Sequence, residues 1–424
     1  HFVITSSCVL LIAGDIVRRM RHSAPTIALS LVTVAASFVS FTSWTHAGAA
    51  AKPFDPESAT FVTSRIGWVL GTATCALKGG CLTLLKTSNA GRSWSEEPLP
   101  PALVTDADQR VEGSPGAIGL GVRFANVEDG WIYGAITVKR SQAGIAYTAL
   151  APTMWATHDG GEVWTAQRLP SATALGQVED VEAANGVVHA MVMTGANYRA
   201  VVDSSPIGTD SWHKTNVVTL NPPAGGAQPS GAIVLKGANG WLVYGNDRGT
   251  SSSARLASSG TWVKWTPPCA SVGNSFALPV ATSPSDLVAL CTMGGFAYGL
   301  SKSAPPGATL GSSWLYLSTD GGSSFRAGLE LKPVKDFPAF SNFSGLLASP
   351  RSRVYLVGSD VNQHQGLVAS FDGGVHWTTV YSGQVTSLTF VNDNEGVGFV
   401  LLANDANAMI MTFDGGRHWS SITF

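Results

Sequence analysis

Two glutamates stand three residues apart and could act together as an acid and a base. Glu179 and Glu182 lie in or beside a predicted strand that would line a central channel, and paired carboxylates with different pKa values are the usual machinery of glycoside hydrolysis. Arg123 and Arg199 are the two arginines placed where they could hold an anionic substrate group. These four residues define a catalytic hypothesis. The alternative is that the carboxylates are solvated and have no catalytic role.

Other kinds of chemistry find little support in the sequence. The nine histidines are scattered, without zinc-ligand spacing, and no Gly-rich phosphate loop is present. We therefore expect no metal and no cofactor. The formal net charge is −2 and no basic stripe offsets the acids, so we expect no nucleic-acid partner.

The strongest signal is an eight-residue pattern, Ser/Thr-x-Asp/Asn-x-Gly-x-x-Trp/Phe, which we call the repeated turn. Five clear copies begin at Thr87, Thr157, Ser318, Ser370 and Thr412. Two degenerate copies span Ser205 to Trp212 and surround Gly260. Each copy follows a short strand that begins with Gly-Trp, as at Gly67-Trp68, or with an equivalent pair. The two patterns alternate seven times along the chain.

Each residue type of the repeated turn has a mechanical role. The Asp or Asn oxygen accepts backbone N–H bonds, the Gly supplies a positive φ, and the aromatic ring covers apolar surface. Seven equivalent turns around a ring cannot converge on one site, so a structural role is favoured over catalysis or calcium binding. The residues concerned are Asn89, Gly91, Trp94, Asp159, Gly161, Trp164, Asp320, Gly322, Phe325, Asp372, Gly374, Trp377, Asp414, Gly416 and Trp419.

Four short strands fit within each repeat, which predicts an all-β, seven-bladed β-propeller of four-stranded antiparallel blades. The chain begins on a first strand and ends on a fourth. Closure of the ring therefore needs only the packing of blade 7 on blade 1.

The repeated turn resembles the Asp-box, or BNR-repeat, propellers of the sialidase-like superfamily. In motif style it is most similar to the photosystem II assembly-factor propellers. The resemblance implies the fold and says little about activity. A sialidase would need an arginine triad, a Tyr/Glu nucleophile pair and an acid/base Asp, with an early Arg-Ile-Pro motif. Here the segment from Ser64 to Gly67 lacks the Pro and is predicted to lie in a turn on the opposite face.

Loop lengths divide the predicted propeller into two faces. The connections from first to second strand are short, and those from third to fourth strand are the repeated turns. Insertions fall in the connections from second to third strand and in those from the fourth strand to the next blade. These two classes share the opposite face, here called the loop face. Variable loops on a rigid scaffold commonly carry recognition. Tyr147, Tyr198, Tyr298 and Tyr381 lie in or near those connections and are candidate binding residues.

Four of the five cysteines follow the N-terminal segment, and three pairings are formally possible. Their positions in the predicted blades favour Cys75–Cys81 and Cys269–Cys291. Both bridges would lie on the loop face, where they could shape a site or only restrain loops.

The N-terminal segment has the order of an export signal. Basic residues at Arg18, Arg19 and Arg21 precede an apolar run over 24–41 and small residues over 47–51. We expect residues 1–51 to be a signal peptide or an uncleaved anchor, with residues 1–19 upstream of a start at Met20. Residues 52–424 would form the propeller, without membrane insertion once the signal is cleaved.

The sequence thus predicts a secreted, non-catalytic propeller that acts as a binding or scaffold protein. A bacterial cell envelope is one location that fits this prediction. Its ligand would be a protein or a glycan recognised on the loop face, and we expect a monomer. The alternative is a secreted glycoside hydrolase of the sialidase-like superfamily.

Overall fold

Short segments of β-branched and aromatic residues pair into seven antiparallel four-stranded sheets in the computed structural model. The structure describes residues 54–75, 80–106, 120–134, 140–141, 144–145, 154–173, 176–194, 198–215, 220–221, 230–246, 249–268, 279–292, 313–331, 343–359, 366–404 and 406–424. The sheets form a ring, and the prediction of a seven-bladed β-propeller is confirmed.

The strands of the first four blades are as follows. Blade 1 contains β1 (Phe54–Phe61), β2 (Gly67–Ala73), β3 (Cys81–Thr87) and β4 (Ser95–Glu97). Blade 2 contains β5 (Leu120–Phe124), β6 (Gly130–Gly134), β9 (Met154–Thr157) and β10 (Thr165–Ala166). Blade 3 contains β11 (Gln177–Ala184), β12 (Val187–Thr194), β13 (Arg199–Pro206) and β14 (His213–Lys214). Blade 4 contains β15 (Ser230–Lys236), β16 (Asn239–Asn246), β17 (Gly249–Leu256) and β18 (Trp262–Lys264).

The remaining blades complete the ring. Blade 5 contains β19 (Val280–Ala281), β20 (Leu287–Thr292), β21 (Ser313–Ser318) and β22 (Arg326–Glu330). Blade 6 contains β23 (Phe343–Ala348), β24 (Tyr355–Ser359), β25 (Gly366–Ser370) and β26 (Thr378–Ser382). Blade 7 contains β27 (Gln384–Phe390), β28 (Gly396–Leu401), β29 (Asn407–Thr412) and β30 (Ser420–Ser421).

Two small elements lie outside the blades. A hairpin of β7 (Arg140–Ser141) and β8 (Gly144–Ile145) interrupts blade 2, and the helix α1 (Pro101–Asp106) connects blades 1 and 2. No helix of the described segments is long and apolar enough to cross a membrane.

The hydrophobic core is divided among the junctions between neighbouring blades. One apolar cluster lies at each of the seven junctions, with residues from both adjoining sheets. First strands of neighbouring blades contact one another, as β1 contacts β5 and β11 contacts β15. The first strand is therefore the innermost strand of each blade, and its side chains lie closest to the central channel.

One position in each second strand governs how a junction is filled. In each blade, one residue of the second strand pairs with the first residue of the repeated turn, and the junction position is the residue after it. In blade 1, Gly67 pairs with Thr87, so Trp68 occupies the junction position. Tryptophan occupies the position in blades 1, 2 and 4, and aliphatic residues occupy it in blades 5, 6 and 7: Trp68, Trp131, Trp241, Val288, Leu356 and Val397. In blade 3, Val188 pairs with Ser205, so His189 takes the junction position.

The ring closes by packing and without a strand exchanged between blades 1 and 7. The Asp55 carboxylate accepts a hydrogen bond from the backbone N–H of Asn407 over 2.8 Å. The rings of Phe54 and Phe424 lie 4.6 Å apart. The observed β1 begins at Phe54.

The disulfide between Cys75 and Cys81 is confirmed, with Cα atoms 5.8 Å apart. Cys291 is buried in β20, and its predicted partner Cys269 lies outside the described residues. The Cys269–Cys291 pairing stays a prediction.

Candidate functional site

The first strands of blades 2 and 3 bring together two of the predicted catalytic residues. Arg123 lies on β5 and Glu182 on β11, and Arg123 Nη2 lies 2.6 Å from Glu182 Oε2. Both side chains keep some exposure, 33% for Arg123 and 22% for Glu182. Burial raises the pKa of Glu182 to about 7, although Arg123 opposes the shift and Asp180 adds to it. Glu182 is thus an ion-pair partner that also holds a proton readily.

Asp180 joins three blades beside this ion pair. The Tyr133 hydroxyl of blade 2 donates to Asp180 Oδ1 over 3.4 Å. The backbone N–H of Ile233 in blade 4 donates to Asp180 Oδ2 over 2.7 Å. Burial raises the pKa of Asp180, while the Ile233 hydrogen bond and Arg123 oppose that shift. Asp180 therefore ties the inner strands together at the same place where Arg123 and Glu182 meet.

Sequence reasoning missed Asp180 and Tyr133 as members of this cluster. A signal was present, because Asp180 and Glu182 flank Val181 with a period of two and so share one face of a strand. The hydroxyl of Tyr133 could not have been assigned, since it comes from another blade.

Glu179 occupies an irregular position next to this row. The pairing of β11 with β12 shifts register between Val178 and Asp180, so Glu179 is the extra residue of a β-bulge. Its carboxylate accepts a hydrogen bond from Gln177, and burial raises its pKa. The bulge turns Glu179 out of the regular alternation, near the loop-face end of β11.

Tyr198 and Arg199, at the loop-face start of β13 in blade 3, are here called the hairpin tip. Tyr198 is 43% exposed and adopts a positive φ of 48°, while Arg199 is exposed at the start of β13. The hydroxyl of Tyr244 in blade 4 donates to the Tyr198 carbonyl, and the Thr194 hydroxyl donates to the Arg199 carbonyl over 2.9 Å. The pKa of Tyr244 is raised by burial and then by Glu179. Tyr244 thus ties the hairpin tip of blade 3 to blade 4.

The other predicted binding residues are placed differently. Tyr381 lies on the outer strand β26, is half-buried, and packs against the apolar cluster of blades 6 and 7. Tyr147 and Tyr298 lie outside the described residues. Arg199 lies on a third strand, away from the first strands that carry Arg123 and Glu182.

The acidic residues of the repeated turns bond within their own turns. In blade 2 the Thr157 hydroxyl donates to Asp159 Oδ1 over 2.8 Å and accepts the Gly161 N–H over 3.0 Å. Hydrogen bonds from the Ser324 side chain and backbone lower the pKa of Asp320 to about 2. The described part of the chain contains no group of three or more His, Cys, Asp or Glu residues placed to hold a metal.

Comparisons with known proteins support the fold and do not settle the function. No family model matches the chain, and no curated protein matches its sequence. Three solved structures are similar at low identity. The structure "YCF48 bound to D1 peptide" is 15% identical, with a TM-score of 0.48, and the match covers 86% of this chain and 94% of that one. An ulvan lyase of polysaccharide lyase family PL25 is 11% identical, with a TM-score of 0.51 and coverage of 88% and 97%. A puromycin-hydrolysing peptidase from Mycobacterium tuberculosis is 11% identical, with a TM-score of 0.52 and coverage of 87% and 52%.

These similarities show the propeller fold alone. The match to the puromycin-hydrolysing peptidase covers only about half of that chain. A binding role and an enzymatic role are both compatible with this architecture.

Proposed function

We propose that this chain is a secreted, non-catalytic binding propeller that recognises a protein or glycan ligand on the loop face of blades 3 and 4. The observation that carries the proposal is the hairpin tip of Tyr198 and Arg199, exposed and held in place by Tyr244. An aromatic ring and a guanidinium on a fixed backbone are typical of recognition sites, because little conformational entropy is lost on binding. The apolar N-terminal run and the Cys75–Cys81 disulfide support secretion.

The inner-strand carboxylates support binding better than catalysis because each is already engaged. Glu182 pairs with Arg123, Asp180 bonds Tyr133 and the Ile233 backbone, and Glu179 accepts a bond from Gln177. A glycosidase needs one carboxylate free to attack or to activate water. We infer that this cluster stiffens the inner strands beneath the hairpin tip, and that the chain binds as a monomer without nucleic acid, metal or cofactor.

The test is a glycan-array screen together with a pull-down from cell-envelope extract, using the full chain. Tyr198→Ala and Arg199→Ala should each weaken capture about tenfold or more, since truncating an interface anchor commonly costs about 2 kcal/mol or more. Phe413→Ala is the matched control. Phe413 is 49% exposed, like Tyr198, but it lies in the repeated turn of blade 7 on the opposite face. Equal losses in the Phe413 variant would show that the loop face is not the binding surface.

A hydrolase of the sialidase-like superfamily is the second candidate, and the pKa of Glu182 is the observation that favours it. A carboxyl group with a pKa of about 7 can serve as a general acid at neutral pH. Fluorogenic sialoside and glucoside turnover by the wild type, abolished in Glu182→Gln and reduced in Glu179→Gln, would overturn the non-catalytic proposal. Equal, background-level turnover by the wild type and both variants would support the non-catalytic proposal.

A further inference from the structure

An open cleft lies between blades 5 and 6, on the face that carries the repeated turns. Its volume is about 430 Å³, within the range of small-molecule sites. The junction position beside it holds Val288, where blades 1, 2 and 4 have tryptophan. The smaller side chain leaves space that an indole fills elsewhere in the ring.

Three charged side chains line this cleft. Arg326 begins β22 of blade 5, Arg353 lies in the turn before β24 of blade 6, and Asp286 lies in the turn before β20. One nitrogen of Arg353 donates to the Asp372 carbonyl over 3.2 Å, which orients its guanidinium. The Arg326 side chain is exposed and lines the cleft. The lining therefore carries two guanidiniums and one carboxylate, a net charge of about +1.

Tyr355 lines the same cleft as the three charged side chains. The side chain is 6% exposed and lines the cleft. Burial raises its pKa, Arg353 and Arg326 oppose the shift, and Asp286 adds to it. Tyr355, Arg326, Arg353 and Asp286 all line this one cleft between blades 5 and 6.

We propose that this interblade cleft binds a hydroxylated monocarboxylate, such as a hexuronate. Guanidinium groups bind carboxylates through paired N–H donors. Asp286 can accept a ligand hydroxyl but repels a second negative charge, so a monocarboxylate suits the site better than a phosphate dianion. Leu317 and Leu329, both half-buried, offer apolar surface to the carbon skeleton of the ligand. The site is separate from the loop face and does not depend on the function proposed above.

Calorimetric titration of the full chain with D-galacturonate tests the proposal, with D-galactose as the neutral match. We expect galacturonate to bind at least tenfold more tightly than galactose. Arg326→Gln and Arg353→Gln should each weaken galacturonate binding about tenfold, the effect of about 1.4 kcal/mol. Val288→Trp should abolish it by filling the cleft with the side chain found at three other junctions.

Arg255→Gln is the matched control for these variants. Arg255 bonds the Ser323 hydroxyl over 3.0 Å at the junction of blades 4 and 5, where Trp241 fills the space, so this variant should bind like the wild type. Absence of galacturonate binding, equal binding of galactose, or tighter binding of inorganic phosphate would overturn the proposal. If Val288→Trp fails to fold, the two arginine variants measured against Arg255→Gln decide the outcome.

Discussion

The junction of blades 1 and 2 is filled by aromatic side chains, whereas the equivalent junction of blades 5 and 6 contains a cleft. At the first, Trp68 stacks on Phe124 with ring centroids 3.7 Å apart and donates to the Gly160 carbonyl over 3.2 Å. Lys86 covers the indole ring and also donates to Gly160. At the second, Val288 and Leu317 take the places of the indole and the lysine, and a cleft remains.

The comparison shows where function can enter a repeat protein. A blade that follows the repeat closes its junction and contributes stability. Blade 5 departs from the repeat at one position, and its junction with blade 6 keeps a cleft that side chains from both blades line. The junction of blades 3 and 4 is an intermediate case, since His189 lies beside Trp262 there, with ring centroids 5.5 Å apart, and lines a smaller cleft of about 240 Å³.

The largest effect should come from removing a junction tryptophan. Trp68→Ala should lower the free energy of unfolding by about 3–5 kcal/mol, because a fully buried indole and its hydrogen bond are lost. Val288→Ala should cost only about 2 kcal/mol, since it removes two methyl groups. Urea unfolding followed by tryptophan fluorescence and circular dichroism measures both. Equal losses would mean that the two junctions contribute alike.

A pH effect of intermediate size should arise at His189. Burial lowers its pKa to about 4, and His213 adds to the shift. The unfolded chain, with an ordinary histidine pKa near 6.5, then binds a proton before the folded chain does as the pH falls. The stabilising contribution is present above pH ~6.5 and is lost towards pH ~4, a change of roughly 3 kcal/mol.

The His189→Phe variant isolates the contribution of His189 to the pH dependence of the unfolding free energy. Its unfolding free energy should vary less than that of the wild type between these pH values, while Glu182 titrates in both proteins. The comparison uses urea titrations at matched ionic strength. Parallel pH profiles would exclude His189 as the source of the dependence.

The smallest effect should distinguish a complete repeated turn from a degenerate one. Thr157→Val should cost about 1–2 kcal/mol, because Asp159 and the Gly161 N–H both lose a partner. Ser205→Ala in the degenerate turn of blade 3 should cost less than about 1 kcal/mol, since its hydroxyl bonds only Pro206 and Thr209 among the described residues. Thermal unfolding under identical conditions compares them. A larger loss in Ser205→Ala would contradict the ranking.

Much of the fold follows from local signals in the sequence. Turn chemistry around Gly161 or Gly416 and the alternation of short apolar strands depend on residues close together in the chain, so blade number and strand order could be predicted. The Cys75–Cys81 bridge was accessible for the same reason, with a separation of 6 residues. The candidate site was only partly accessible. Arg123 and Glu182 were both named, but their ion pair was not predicted.

The sequence by itself determined the repeat, its seven copies and the hydrogen bonds inside each turn, because these depend on backbone geometry within a few residues. Tertiary structure decided which side chains meet across a junction. It placed Tyr133 against Asp180, His189 at a tryptophan position, and Arg326 beside Arg353 in one cleft. These groups come from different blades or from registers that the motif does not specify, so packing between sheets brings them together.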